Sequence, residues 1–176
     1  MSEGLVEGIY VTAQAAELPG SVPTATAVPQ KGLVGDRYFD GTGTWSDYPV
    51  ETGRDLTLVE AEVLEDVGLS AAEARRNVVT RGVSLTSLIG KRFRVGEVEC
   101  YGDRICEPCR HLEGLTRPGI VKTLTDRGGL RADVLRGGQI AVGDRVVVVS
   151  SSRPWSGRRD RRASRRPAAR LPRDRA

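Results

Sequence analysis

From Leu5 to Thr12 apolar and polar positions mostly alternate, and Ile9, Tyr10 and Val11 supply β-branched and aromatic side chains, so the pattern predicts an opening strand. "VPTATAVPQKGLVGDRYFD" (22–40) is rich in Thr and Val but interrupted by Pro23, Pro29, Gly32 and Gly35, which predicts an edge strand running into a loop. The "GTGTWSDYP" that follows has the composition of an exposed connection. In "DLTLVEAEVLEDVGL" (55–69), Leu58, Val59, Val63, Leu64 and Val67 fall at helical spacing with Gly68 placed as a stop, predicting the clearest helix of the chain. Ser70 and Glu73 have the spacing of a capping box, which starts a short helical turn leading into a strand at Asn77–Thr80. "SLTSLIG" reads as one more helical turn, and "KRFRVGEVECYG" as two short strands about Gly96. "IVKTLTDRGGL" reads as helical up to Arg127. "LRADVLRGGQIAVGDRVVVVS" reads as two extended runs joined at Gly137–Gly138, then a final strand.

Many short strands, frequent glycine turns and a few small helices predict a β-rich α+β fold, a β-barrel with short helices, rather than a doubly wound sheet. At 176 residues one domain is expected, spanning 1–150. Residues 151–176 hold ten arginines against two aspartates and almost nothing apolar, so this tail is expected to be disordered. Separating it changes the meaning of the +4 net charge, because the body then carries 17 basic and 21 acidic residues and is mildly acidic. The tail would attract phosphate non-specifically, yet it has a single aromatic, Trp155, and the acidic body repels a duplex; no specific nucleic-acid partner is expected. No stretch reaches the roughly 18 apolar residues of a bilayer span, and no signal peptide is visible, so a cytoplasmic protein without a membrane partner is expected.

Chemistry concentrates in "DRICEPCRHLEGL" (103–115), which carries two of the three cysteines and the only histidine. A thioredoxin-like CxxC would need a βαβ setting that is missing. A zinc site could recruit Cys100, Cys106, Cys109 and His111, although all four fall within one twelve-residue stretch instead of two separated pairs. The third reading is one reactive thiolate at Cys109. Pro108 before it and the apolar-periodic "CRHLEGL" after it set Cys109 at the start of a helical turn, where backbone N–H groups and the nearby Arg104 and Arg110 favour negative charge. Cys100, inside "EVECY", reads as a buried packing residue. His111 reads as a helix-surface or supporting group rather than a ligand. Elsewhere Arg76 offers a fork to a phosphate, and Asn77 a donor and acceptor to a polar ring. Arg131 and Arg136, among glycines that permit close approach, are placed to meet an anion. Asp36 and Arg37 read from spacing alone as a turn and a surface charge.

Taken in order, "KGLVGDR", "ARRNVVTRGVSLTSLIGKRFRVGEVE", "CEPCRHLEG" and "GGLRADVLRGGQIAVGDRV" resemble the MOSC domain, the module found at the C-terminus of molybdenum cofactor sulfurases and in small stand-alone bacterial proteins. The likeness runs over residues 5–149. It implies a barrel-like fold and one functional cysteine, matched by Cys109, which in relatives ligates molybdenum in a bound pterin cofactor or is proposed to carry sulfur. Arg76 and Asn77 match a family pair near the cofactor, and Gly35, Asp36 and Arg37 match a loop at the pocket; Arg131 joins them as an anion-binding candidate. Cys106 occurs in many stand-alone members without being required across the family. The resemblance thus implies a molybdenum-cofactor oxidoreductase that reduces N-hydroxylated or N-oxide compounds, with Cys109 catalytic and a metal ligand. Because the chain lacks an iron–sulfur cysteine cluster and a dinucleotide fingerprint, a separate electron-donor protein is expected. The alternative is a non-catalytic carrier of the cofactor or of persulfide sulfur.

Overall fold

The opening alternation becomes β1 (Gly4–Val11), which turns Val6 and Ile9 inward and Leu5 and Glu7 outward. Its period of two slips by one residue between Val6 and Gly8, where pairing to β6 (Val78–Arg81) is interrupted by a bulge. The computed structural model describes residues 3–47 and 52–149; the predicted disordered tail and the end of the "GTGTWSDYP" connection lie outside the described residues. After β1 come β2 (Gly20–Val22), β3 (Thr24–Val28), β4 (Gly32–Leu33) and β5 (Leu56–Glu60), then α1 (Ala61–Val67) and α2 (Ala71–Ala74) before β6. A 3₁₀ turn at Leu85–Leu88 precedes β7 (Arg92–Val95) and β8 (Val98–Ile105). Next follow α3 (Arg110–Leu115), α4 (Ile120–Leu124), β9 (Leu130–Arg136), β10 (Gly138–Ala141) and β11 (Arg145–Val148).

Seven strands close into a mixed barrel in the order β1, β6, β5, β9, β8, β7, β11, with β11 returning to β1 through Gly4 and Leu5. The β5–β6 pair is parallel, bridged by α1 and α2, and the other pairs of the ring are antiparallel. β2 extends β1, while β3, β4 and β10 form a separate three-stranded sheet with β3 in the middle. The edge strand expected around residue 24 is therefore a central one, and Pro23 and Pro29 sit just beyond its ends, where no ladder N–H is lost.

The helix expected over 55–69 is half strand. Leu56 and Leu58 point into the barrel among Phe93, Ile9 and Leu130, while Val59 points outward beneath Leu64 and Val67 of α1. Val59, buried on the face opposite Leu56 and Leu58, breaks the alternation begun by Asp55 to Leu58, and with the apolar positions of α1 behind it a helical spacing emerges from two adjoining elements. Gly68 ends α1 in the left-handed conformation as expected, at φ 60°. The helix expected to reach Arg127 stops at Leu124, with Asp126 left-handed at φ 63°. The runs about Gly137–Gly138 do not form a hairpin: β9 stays in the barrel and β10 crosses to β3.

The interior cluster fills the barrel, and a second cluster outside it holds Val59, Leu64, Leu112, Ile120 and Leu124. Leu112 anchors α3 there and so fixes the helix that begins at the cysteine loop. α2 is set by the predicted capping box. Ser70 Oγ accepts from the Glu73 N–H at 3.2 Å, and Glu73 Oε2 accepts from the Ser70 N–H at 3.0 Å. The helix then stops on Arg75, held left-handed at φ 56°, which costs a non-glycine residue roughly 1–2 kcal/mol.

The bonds from Ser70, hydroxyl first and backbone second, hold the Glu73 carboxyl below its ordinary pKa. Stability from that carboxylate is present above the unfolded pKa, about 4.3, and is lost as pH falls through the depressed folded value. Ser70→Ala should therefore cost about 1 kcal/mol at pH 7 and show a shallower loss of stability on acidification than the wild type, both read by urea unfolding across pH 7 to 3.

Candidate functional site

One row of side chains crosses the barrel wall from strand to strand. Arg104 on β8 stands opposite Arg131 on β9, and Arg131 stands opposite Thr57 on β5. Asn77, just before β6, donates its N–H to the Thr57 carbonyl at 3.0 Å and accepts from the Tyr10 N–H of β1 at 2.8 Å. Over this row lies a cavity of about 380 Å³, a size suited to a small ligand. Its other walls come from the segment after β4 (Arg37, Tyr38, Trp45), from Arg54 just before β5, from the α2 exit (Arg75, Arg76) and from the cysteine loop with α3 (Glu107, Cys109, His111, Leu112). Six arginines and a single carboxylate face the space, in a body whose sequence is acidic overall. The cavity is a local well for anions.

Cys109 is exposed in this cavity at the N-cap of α3, as its sequence position predicted. Cys106, three residues earlier, is buried and inside the wall, its N–H donating to the Gly129 carbonyl at 2.8 Å. Arg76 grips the same loop: Nε donates to the Gly128 carbonyl at 3.0 Å and Nη2 to the Cys106 carbonyl at 3.2 Å. A Cβ on Gly128 would strike the Cys106 carbonyl, and one on Gly129, at φ 106°, would strike the Leu58 carbonyl. These glycines thus admit backbone, not ligand, and let the cysteine loop lie against the start of β9.

Asn77 is 8% exposed and its amide is committed to the protein. Oδ1 accepts from the Thr57 N–H at 3.3 Å and the Thr57 hydroxyl at 3.0 Å, while Nδ2 donates to the Tyr10 carbonyl at 3.4 Å. It laces β1, β5 and the start of β6 together beneath the cavity floor. Asp36 does not line the cavity. It is buried, accepts from the Tyr38 N–H at 3.1 Å and pairs with Arg37 Nη1 at 3.2 Å, so it aims Arg37 instead of meeting a ligand. Arg37, far from being a surface charge, is buried at 6% exposure on the cavity wall.

Arg75 and Arg54 were not distinguished by the sequence pattern. Burial first, then the neighbouring Arg37 charge, hold the Arg75 guanidinium below its ordinary pKa, the mark of two cations crowded together. Arg75 Nη2 donates to the Ala15 carbonyl at 2.6 Å, and Arg54 Nη2 to the carbonyls of Trp45 (3.0 Å) and Ser46 (2.7 Å). Arg104 pairs with Asp103 and donates to the Thr52 carbonyl at 3.0 Å. Arg131 makes no side-chain hydrogen bond or ion pair with another described residue. Arg136, the other candidate on β9, is exposed and faces away from the cavity. At the mouth, Trp45 and His111 meet edge to face, centroids 6.3 Å apart.

The zinc reading fails on placement. Cys100 lies in the barrel interior, where burial, helped by the charges of Asp55, Glu99 and Asp133, pushes its thiol far up and keeps it protonated. Cys109 opens to the cavity, and among the described residues no three His, Cys, Asp or Glu side chains converge.

Residues 52–147 match the family model described as MOSC domain. The chain belongs to the MOSC domain family. That family is linked to molybdenum cofactor binding. The match begins at Thr52, just before β5, so Arg37 and β1 to β4 lie outside it. The MOSC fold extends further: the YUAD protein of Bacillus subtilis superposes with a TM-score of 0.69 at 18% identity, covering 85% of this chain and 97% of that one. YiiM of Geobacillus stearothermophilus follows with a TM-score of 0.63 at 17% identity, over 84% of this chain and 75% of its own. YiiM of Escherichia coli gives 0.60 at 18%, over 84% and 70%. At these identities the likeness shows the fold alone. No curated protein matches the chain. Among the described residues no helix is long and apolar enough to cross a membrane.

Asn77→Ala should lower the unfolding free energy by about 2 kcal/mol, because Thr57 and Tyr10 lose a buried partner. Urea unfolding checks this; a loss under about 0.5 kcal/mol, the size of an ordinary surface change, would show that the amide is not a structural lace.

Proposed function

We propose that this MOSC protein binds molybdenum cofactor in the arginine-lined cavity, with Cys109 as the protein ligand of the metal, and acts as an oxidoreductase on N-hydroxylated or N-oxide compounds. One observation carries the reading: the exposed thiol and the six guanidinium groups share a single cavity in an otherwise acidic body. The donor set suits the group. Molybdopterin has a phosphate at one end and a metal-binding dithiolene at the other, and so asks for cations set apart from a soft thiolate. Arg37 and Arg75 would hold the phosphate, and Cys109 the metal. When bound, the cofactor supplies a metal that changes oxidation state and exchanges oxygen with the substrate.

The chain's own contribution is position. Arg76 and the Gly128–Gly129 pair fix the cysteine loop, Asp36 aims Arg37, and Leu112 closes one wall with hydrocarbon. Reduction of an N-hydroxyl compound to the amine and water consumes two electrons and two protons, and a separate electron-donor protein would deliver the electrons. The substrate of this reading is a small molecule, approaching over the row of Arg104, Arg131 and Thr57.

Protein produced with molybdate should hold about one molybdenum per chain, and Cys109→Ser at least about tenfold less, by elemental analysis. Equal metal in both would remove the ligand role of Cys109. Metal without turnover of an N-hydroxylated substrate under an artificial reductant would instead favour a carrier of cofactor or sulfur.

A further inference from the structure

Four of the six arginines of the cavity fall into two groups. Arg37 and Arg75 stand near the continuation of β1: the Arg37 N–H donates to the Thr12 carbonyl at 2.7 Å, and Arg75 reaches the Ala15 carbonyl. Arg104 and Arg131 stand on β8 and β9. Between β9 and β1 lie β5 and β6, so the two groups are three strand spacings apart, about 14 Å along the wall.

The second group is the one nearer the thiol. β8 runs directly into the cysteine loop, and that loop rests on Gly128 and Gly129, immediately before β9. Here two arginines occupy directly opposed positions of an antiparallel pair, a placement that repulsion ordinarily disfavours. Asp103 answers Arg104. Nothing among the described residues answers Arg131, although both side chains are only partly exposed and both line the cavity. A guanidinium that meets a like charge and no described partner, in the same cavity as the exposed Cys109 thiol, is suited to an oxyanion.

We infer that Arg131, with Arg104, forms a second anion seat, separate from the seat of the cofactor phosphate, and that it selects substrates carrying a carboxylate or phosphate group. This rests on the reading above and assigns the substrate class of the same site. The metal and the phosphate are at opposite ends of the cofactor, so a phosphate at Arg37 and Arg75 leaves the Arg131 end for the molecule that approaches Cys109. Arg131 is thus a specificity determinant. Its planar fork donates to two oxygens, and the neighbouring Arg104, pinned by Asp103 and the Thr52 carbonyl, adds charge without having to move.

Inorganic phosphate is the probe. Titrated by calorimetry into cofactor-free protein, it should fill two sites per chain, and Arg131→Gln should reduce the count to one. Arg104→Gln, the second variant should the first not fold, should weaken the same site. In molybdenum-loaded protein one site should remain in the wild type and none in Arg131→Gln. A single site in the cofactor-free wild type, or an unchanged count in R131Q, overturns the inference. So does loaded wild type that binds no phosphate, since Arg131 would then belong to the cofactor. Failure to take up molybdenum would sink the cofactor reading alone, and the two-site count on cofactor-free protein would still decide whether the second seat exists.

Discussion

The site depends on one guanidinium that never has to touch a ligand. Arg76 gives one N–H to each of two carbonyls, those of Cys106 and Gly128, and so ties the end of β8 to the start of β9 with charge-assisted bonds while still lining the cavity. That tie sets where the chain emerges at Pro108 and hence where α3 begins. Cys109 occupies its place because the backbone before it is clamped and Leu112 after it is buried. The closeness of the clamp is a steric matter, since a side chain at residue 128 or 129 would hold the two segments apart.

A related economy governs the other arginines. Arg54, Arg75 and Arg104 each donate to a loop carbonyl, and Arg37 leans on a buried carboxylate. Such tethers fix the orientation of long, flexible side chains before a ligand arrives, so less conformational entropy remains to be lost on binding. They also bring together the loops at residues 13–15, 45–46 and 52, which share no β-ladder. Cation density is therefore both the binding potential of the cavity and part of what shapes its rim.

Much of this was legible in the chain. The alternation of β1, the Ser70–Glu73 box, the Gly96 turn and the thiol at a helix start all describe local physics, and each appears where the pattern puts it. What escaped the pattern depends on neighbours remote in sequence. Leu56 to Glu60 carry a helix-compatible spacing because the barrel interior and α1 cover the two faces of a strand that β6 and β9 flank. Asn77 has the chemistry of a ligand-binding group, and nothing nearby in the chain reveals that Thr57 and Tyr10 already use it. Arg75 and Arg54 are silent in sequence because only the closed barrel brings them to the cysteine.

That ring is sealed by Gly4 and Leu5 lying against Val146 and Arg145, so its first strand waits for its last. On a ribosome almost the whole domain must emerge before the seam can form. Until then β1 presents a bare hydrogen-bonding edge beside Val6 and Ile9, an invitation to pair with another nascent chain. Sequence separation at the seam makes closure a late, entropically costly event. The exposed Glu7, which pairs with Arg81 of β6 in the finished barrel, puts charge along this strand while it is still open and so discourages the wrong neighbour.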